Sequence, residues 1–138
     1  MTKQARTLNA QELALLLDHI TTTKNAPRNR AILLLTHLAG MRIGEVAAVR
    51  VCDVLASDNT VRDEINLSAA QTKGIRSRSV LLNERMRAEL ANYIKTIHVT
   101  DSKQALFCTQ RSPSFTANTL TQIVNALYKQ AGFDSASS

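Results

Sequence analysis

Residues 38–53 read LAGMRIGEVAAVRVCD, and the reading of this stretch decides the rest of the chain. It sets one arginine, Arg42, just past the glycine-ended close of an apolar run, with Glu45 three residues on. Nearly every neighbour is small or apolar, so the pattern predicts a cation held by the fold. Such an arginine suits a phosphate, because its planar guanidinium donates paired hydrogen bonds and stays charged at any working pH. A surface arginine at a helix end, paired to Glu45 on the next turn, fits the same spacing.

Upstream, Asn9 and Glu12 form an N-cap and its reciprocal partner, opening a helix whose apolar face is Leu13, Leu16, Leu17 and Ile20. Pro27 suits the first turn of a second helix, over 28–39, which is apolar nearly all round and should be the central buried helix. Gly40 stops it, and a short helix over 43–49 follows. Downstream, Ser57, Asp58 and Asn59 mark a turn, and 64–72 and 77–82 pattern as strands joined at Lys73-Gly74. Asn83 caps a helix bearing Met86, Leu90, Tyr93, Ile94 and Ile97. Residues 105–108 read as a short extended piece, and Ser112-Pro113-Ser114 breaks the chain again. Thr116 caps a last helix with Leu120, Ile123, Val124 and Leu127, which stops at Gly132. The polar tail 134–138 is expected to fray. The sum is a mainly α domain carrying a small antiparallel β-sheet, an α+β class compatible with several functions.

With 138 residues, the chain fits one domain with a single core. Its mean hydropathy of −0.12 places it among water-soluble proteins, and no apolar run reaches membrane-spanning length. The opening MTKQARTLNAQE carries no signal-peptide core, so a cytoplasmic protein is expected. Cys52 and Cys108 lie far apart with no metal-ligand spacing and read as reduced core residues; neither metal nor cofactor is expected. The net charge of +6 favours a polyanion as partner. Eleven of the seventeen basic residues are arginine, which favours hydrogen-bonded phosphate recognition over a loose lysine cloud. Lys73, Arg76, Arg78, Arg85 and Arg87 fall in fifteen residues holding one acid, Glu84, whereas Asp53, Asp58, Asp63 and Glu64 make the preceding stretch acidic. As alternate residues, Arg76 and Arg78 would share a strand face able to follow a phosphate backbone.

Two motifs carry a family resemblance. Residues 39–46, Ala-Gly-Met-Arg-Ile-Gly-Glu-Val, resemble the first arginine box of the tyrosine recombinases, the phage-integrase family, which runs approximately T-G-[ML]-R-x-[GS]-E-[LI]. Residues 71–82, QTKGIRSRSVLL, are similar to the family's hairpin context T-K-x-x-x-R-x-V-P-L, with one residue more between lysine and arginine and Leu81 where proline is usual. The likeness runs from Asn9 to Ala131-Gly132-Phe133. It implies a single partial catalytic domain of the DNA breaking-rejoining type over 1–138, with the arginine box at 39–46 and the basic hairpin at 64–82. Arg42 would then clamp the scissile phosphate, and Lys73 would act as general acid toward the departing 5′ oxygen. Glu45 would buttress the Arg42 guanidinium, and Arg76 and Arg78 would bind DNA. The partners implied are double-stranded DNA and other recombinase protomers, with no membrane and no small-molecule cofactor.

The departures bear equally on function. His19, His37 and His98 are followed three residues later by Thr22, Gly40 and Asp101, so no His-x-x-Arg box is present. The tyrosines, Tyr93 and Tyr128, fall in apolar helical patterns and read as core residues, not nucleophiles. The resemblance therefore implies the N-terminal part of a catalytic domain, truncated at its C-terminus, without the DNA-clamping domain usual in front, and inactive alone. A non-catalytic DNA-binding or regulatory protein, and a structural remnant of a mobile-element integrase, are the other readings. A helix-turn-helix around Gly40 is rejected, since Ile43, Val46, Ala47, Ala48 and Val49 offer no polar side chains to base edges.

Overall fold

The computed structural model describes residues 8–72, 74, 76–108 and 114–133. Its first helix, α1 (Ala10–Thr21), opens on the capping box read from the sequence. The Asn9 side chain accepts the Glu12 N–H at 2.8 Å, and the Glu12 carboxylate accepts the Asn9 N–H at 3.2 Å. The central helix, α2 (Ala26–His37), carries Pro27 in its first turn and buries Ala31, Ile32, Leu33, Leu34 and Leu35 completely. Over these five residues, more than one full turn, the helix is sealed on all sides and needs no amphipathic stripe, so this stretch is apolar round its circumference. It packs against α1 and against α6 (Glu84–Ile94), whose Asn83 cap accepts the Met86 N–H.

The chain leaves α2 through Gly40, whose φ of +73° is open to glycine and costly for other residues. The Met41 N–H bonds back to the Leu35 carbonyl at 3.0 Å and buries the Met41 side chain under the helix end. There follow α3 (Ile43–Ala48) and a four-residue helix, α4 (Val51–Val54), which the sequence reading does not anticipate. The last long helix, α7 (Ala117–Gln130), packs on α3 and α1 from its Thr116 cap and ends before Gly132 at φ +87°. Of the extended piece expected at 105–108 the structure keeps one isolated bridge: Ala105 pairs with Arg50, Leu106 and Phe107 follow as a buried bend, and the Phe107 ring stacks on Tyr93 at 5.0 Å.

The sheet is smaller than expected. Strand β1 (Glu64–Leu67) pairs antiparallel with β2 (Arg78–Leu81), Ile65 opposite Val80, and both of these side chains are buried. The anticipated first strand does not continue to residue 72; Ala69–Thr72 forms a helical turn, α5. The cause is local. Ser68 and Gln71 make a capping box, Gln71 Oε1 accepting the Ser68 N–H at 2.9 Å, and this outcompetes strand pairing. Arg76 consequently lies in the connection ahead of β2 and does not share a strand with Arg78. Among the described residues no helix is long and apolar enough to cross a membrane.

Candidate nucleic-acid interface

Arg42 occupies the N-cap of α3 in extended conformation, φ −75° and ψ 151°. Its backbone is held on both sides. Met41 is anchored to α2, and the Arg42 N–H donates to Glu45 Oε1 at 2.9 Å. The guanidinium itself is exposed, and among the described residues no hydrogen bond or ion pair engages it. The fold thus fixes the main chain that presents the cation while leaving its five donors available. That corrects the expectation of a guanidinium held by the fold.

Glu45 is the second correction. Instead of gripping the Arg42 guanidinium, its carboxylate takes the Arg42 N–H and the guanidinium of Arg78, 33 residues away. Arg78 Nε donates to Oε2 at 2.8 Å and Nη2 to Oε1 at 2.7 Å, a two-point fork, while Nη2 also reaches the Gly40 carbonyl at 3.2 Å. Only 2% of the Glu45 side chain is exposed, against 40% for Arg78. Burial pushes the Glu45 carboxyl up, but the hydrogen bonds from Arg78 and from the Arg42 N–H, with both positive charges, outweigh it and hold the group below its usual range. Arg78, expected to face DNA, is therefore spent largely on the protein: it pins β2 to the α2–α3 junction.

The connection between the strands is organised from its other end as well. Gln71 Nε2 donates to the Ala48 carbonyl at 3.0 Å and to Asp53 Oδ2 at 2.8 Å, and that same oxygen accepts the Arg50 N–H at 2.9 Å. The Thr72 hydroxyl lies 3.0 Å from the Ala69 carbonyl and 3.1 Å from the Arg76 carbonyl, and it accepts the Gly74 N–H at 3.2 Å. Arg76 is exposed. Lys73 lies outside the described residues. Asp53 and Gln71 were not singled out from the sequence, although Arg50-x-x-Asp53 repeats the Arg42-x-x-Glu45 spacing and Ser68-x-x-Gln71 is a legible cap.

Both tyrosines are core residues. Tyr93, 2% exposed, donates to the Leu106 carbonyl at 2.9 Å, and burial raises its phenol well above the ordinary value. Tyr128 is fully buried, its hydroxyl 3.1 Å from His37 Nε2. Cys52 and Cys108 are free and half-buried.

Known proteins resemble this chain in sequence and in fold. The transposase A of transposon Tn554 from Staphylococcus aureus is 28% identical over 95 residues, which make up 67% of this chain and 25% of that protein. The XerA recombinase structure superposes with a TM-score of 0.72 at 20% identity, over 98% of this chain and 45% of that one. The XerH site-specific recombinase, in a pre-cleavage complex with its difH substrate, gives 0.65 at 23% identity over 94% and 38%. The Tn1549 transposon integrase in complex with circular intermediate DNA gives 0.62 at 18% over 94% and 46%. At these identities the structural likeness speaks for the fold, and the chain spans a quarter of the transposase and less than half of each recombinase chain. The model of the phage integrase family matches residues 6–138, nearly the whole sequence, and on that match the chain belongs to the phage integrase family, the tyrosine recombinases.

Proposed function

We propose that this chain supplies the first arginine and the basic inter-strand connection of a recombinase site acting on double-stranded DNA. Arg42 clamps the scissile phosphate, Lys73 protonates the departing 5′ oxygen, and Arg76 contacts the backbone beside it. The observation that carries this reading is the exposed Arg42 guanidinium, free of partners among the described residues, on a backbone secured by Gly40, Met41 and Glu45. A cation presented this way can donate two hydrogen bonds to non-bridging phosphate oxygens without reorganising the protein. Lysine suits the acid role because its ammonium carries a transferable proton. Glu45 and Arg78 act through position: one carboxylate joins the segment bearing Arg42 to the strand that follows the connection. The solved XerH and Tn1549 integrase complexes contain DNA, which supports duplex DNA as the ligand.

Strand cleavage by this chemistry needs a nucleophile that attacks phosphorus. Tyr93 and Tyr128 are both buried and hydrogen-bonded within the core, and no His-x-x-Arg box stands in the sequence. The polypeptide by itself therefore binds without cutting. A nicked suicide duplex tests both halves: salt-dependent binding with no covalent adduct is the expected result. An adduct that survives denaturation would overturn the inactivity, and absence of binding would overturn the DNA assignment.

A further inference from the structure

We propose that Gln71 is a positioning residue, tethering the connection that bears Arg76 to the N-terminus of α4 through Asp53. This rests on the duplex-binding reading above and adds to it a second fixed point. The Gln71 amide uses both donors and its acceptor: Nε2 reaches the Ala48 carbonyl and Asp53 Oδ2, and Oε1 takes the Ser68 N–H. The bond to Asp53 is charge-assisted and, at 2.8 Å, short. Asp53 in turn holds the Arg50 N–H, as Glu45 holds that of Arg42.

The connection is thus clamped at both ends by the third-position carboxylates of two successive short helices. Arg78 on Glu45 secures the exit into β2, and Gln71 on Asp53 secures the entry from α5. Between them the Thr72 hydroxyl spans from the Ala69 to the Arg76 carbonyl and also receives the Gly74 N–H. The relation between Arg42 and Arg76 then follows from α3 and α4, not from the strand pair alone. Two-stranded sheets are weak by themselves, so a loop hung only on β1 and β2 would move with their fraying.

The test uses the full chain with a mixed-sequence 30-base-pair duplex, amide exchange followed residue by residue, and thermal unfolding. Gln71→Met removes the tether, and with it the Ser68 cap, without changing charge, whereas Gln71→Glu keeps the capping oxygen and loses both Nε2 bonds. Exchange at the Gly74 N–H should quicken while that of the α2 core stays slow, and duplex affinity should fall about three- to tenfold. The reciprocal pair Gln71→Glu with Asp53→Asn keeps the net charge and re-forms a side-chain bond between these positions, but sets a carboxylate oxygen beside the Ala48 carbonyl, so both readouts should recover in part. Unchanged Gly74 exchange in Gln71→Met overturns the tether. Faster exchange with unaltered affinity overturns its role in DNA binding, and a wild-type chain that fails to bind counts against the functional reading while leaving the exchange result to judge the tether.

Discussion

Glu45 is a carboxylate almost closed off from water, with its oxygens divided between a guanidinium and a main-chain N–H. Taking away either partner has unequal consequences. Arg78→Met strands a buried anion on a single N–H, at a cost of about 2–3 kcal/mol, toward the low end because water reaches the half-exposed Arg78 position. Glu45→Gln leaves an exposed cation that water can solvate, and about 1–2 kcal/mol is expected. Urea unfolding of both variants reads the order, and a larger loss in Glu45→Gln would contradict it. The acid limb carries the same signature. The folded Glu45 carboxyl lies below its unfolded value of about 4.3, so its contribution is complete above that pH and disappears as pH falls through the folded value. Stability measured between about pH 5 and pH 2 should therefore drop less steeply in Glu45→Gln than in the wild type. The sequence showed that Arg42 and Glu45 belong together. It could not show which guanidinium the carboxylate takes, because that depends on a strand 33 residues away folding back onto α3.

Elements with a local cause were legible, and those settled by competition were not. Asn9, Asn83 and Thr116 each cap the helix assigned to them, because a cap is written within four residues. The segment 64–72 was read as one strand on its alternating pattern, yet Ser68 and Gln71 close a capping box that ends the strand at Leu67. Helix α4 was missed because four residues are too few to show a helical period. Gly40 is where an element boundary meets the site, since its left-handed backbone turns α2 toward Arg42. A Cβ there would meet nothing within 4 Å, so Gly40→Ala carries a conformational cost alone, about 1 kcal/mol. Gly40→Asn should cost less, as asparagine tolerates this region better. Thermal unfolding of the two variants gives the comparison, and equal losses would point to a steric cause instead.

Across the whole molecule, charge and hydropathy restrict what the chain can do, and the motifs supply direction. The buried middle of α2, residues 31–35, was legible because five consecutive apolar residues cover every side of a helix and have nowhere else to go. The division of labour among the arginines was not, because net charge of +6 says nothing about which cations are already engaged. Arg78 is occupied by Glu45 and Arg30 by Glu89, whereas Arg42 and Arg76 are exposed with no ion pair among the described residues. Exposed cations release counterions from DNA on binding; cations already paired within the protein contribute little to that release. The logarithm of the binding constant should therefore fall linearly with the logarithm of salt concentration, and Arg42→Gln and Arg76→Gln should each flatten the slope by about one unit. Arg30→Gln should leave the slope unchanged, its effect confined to stability through the lost Glu89 pair. Fluorescence anisotropy with a labelled duplex across a salt series gives all three slopes. A slope insensitive to Arg42 would remove that residue from the interface, whatever its place in the motif.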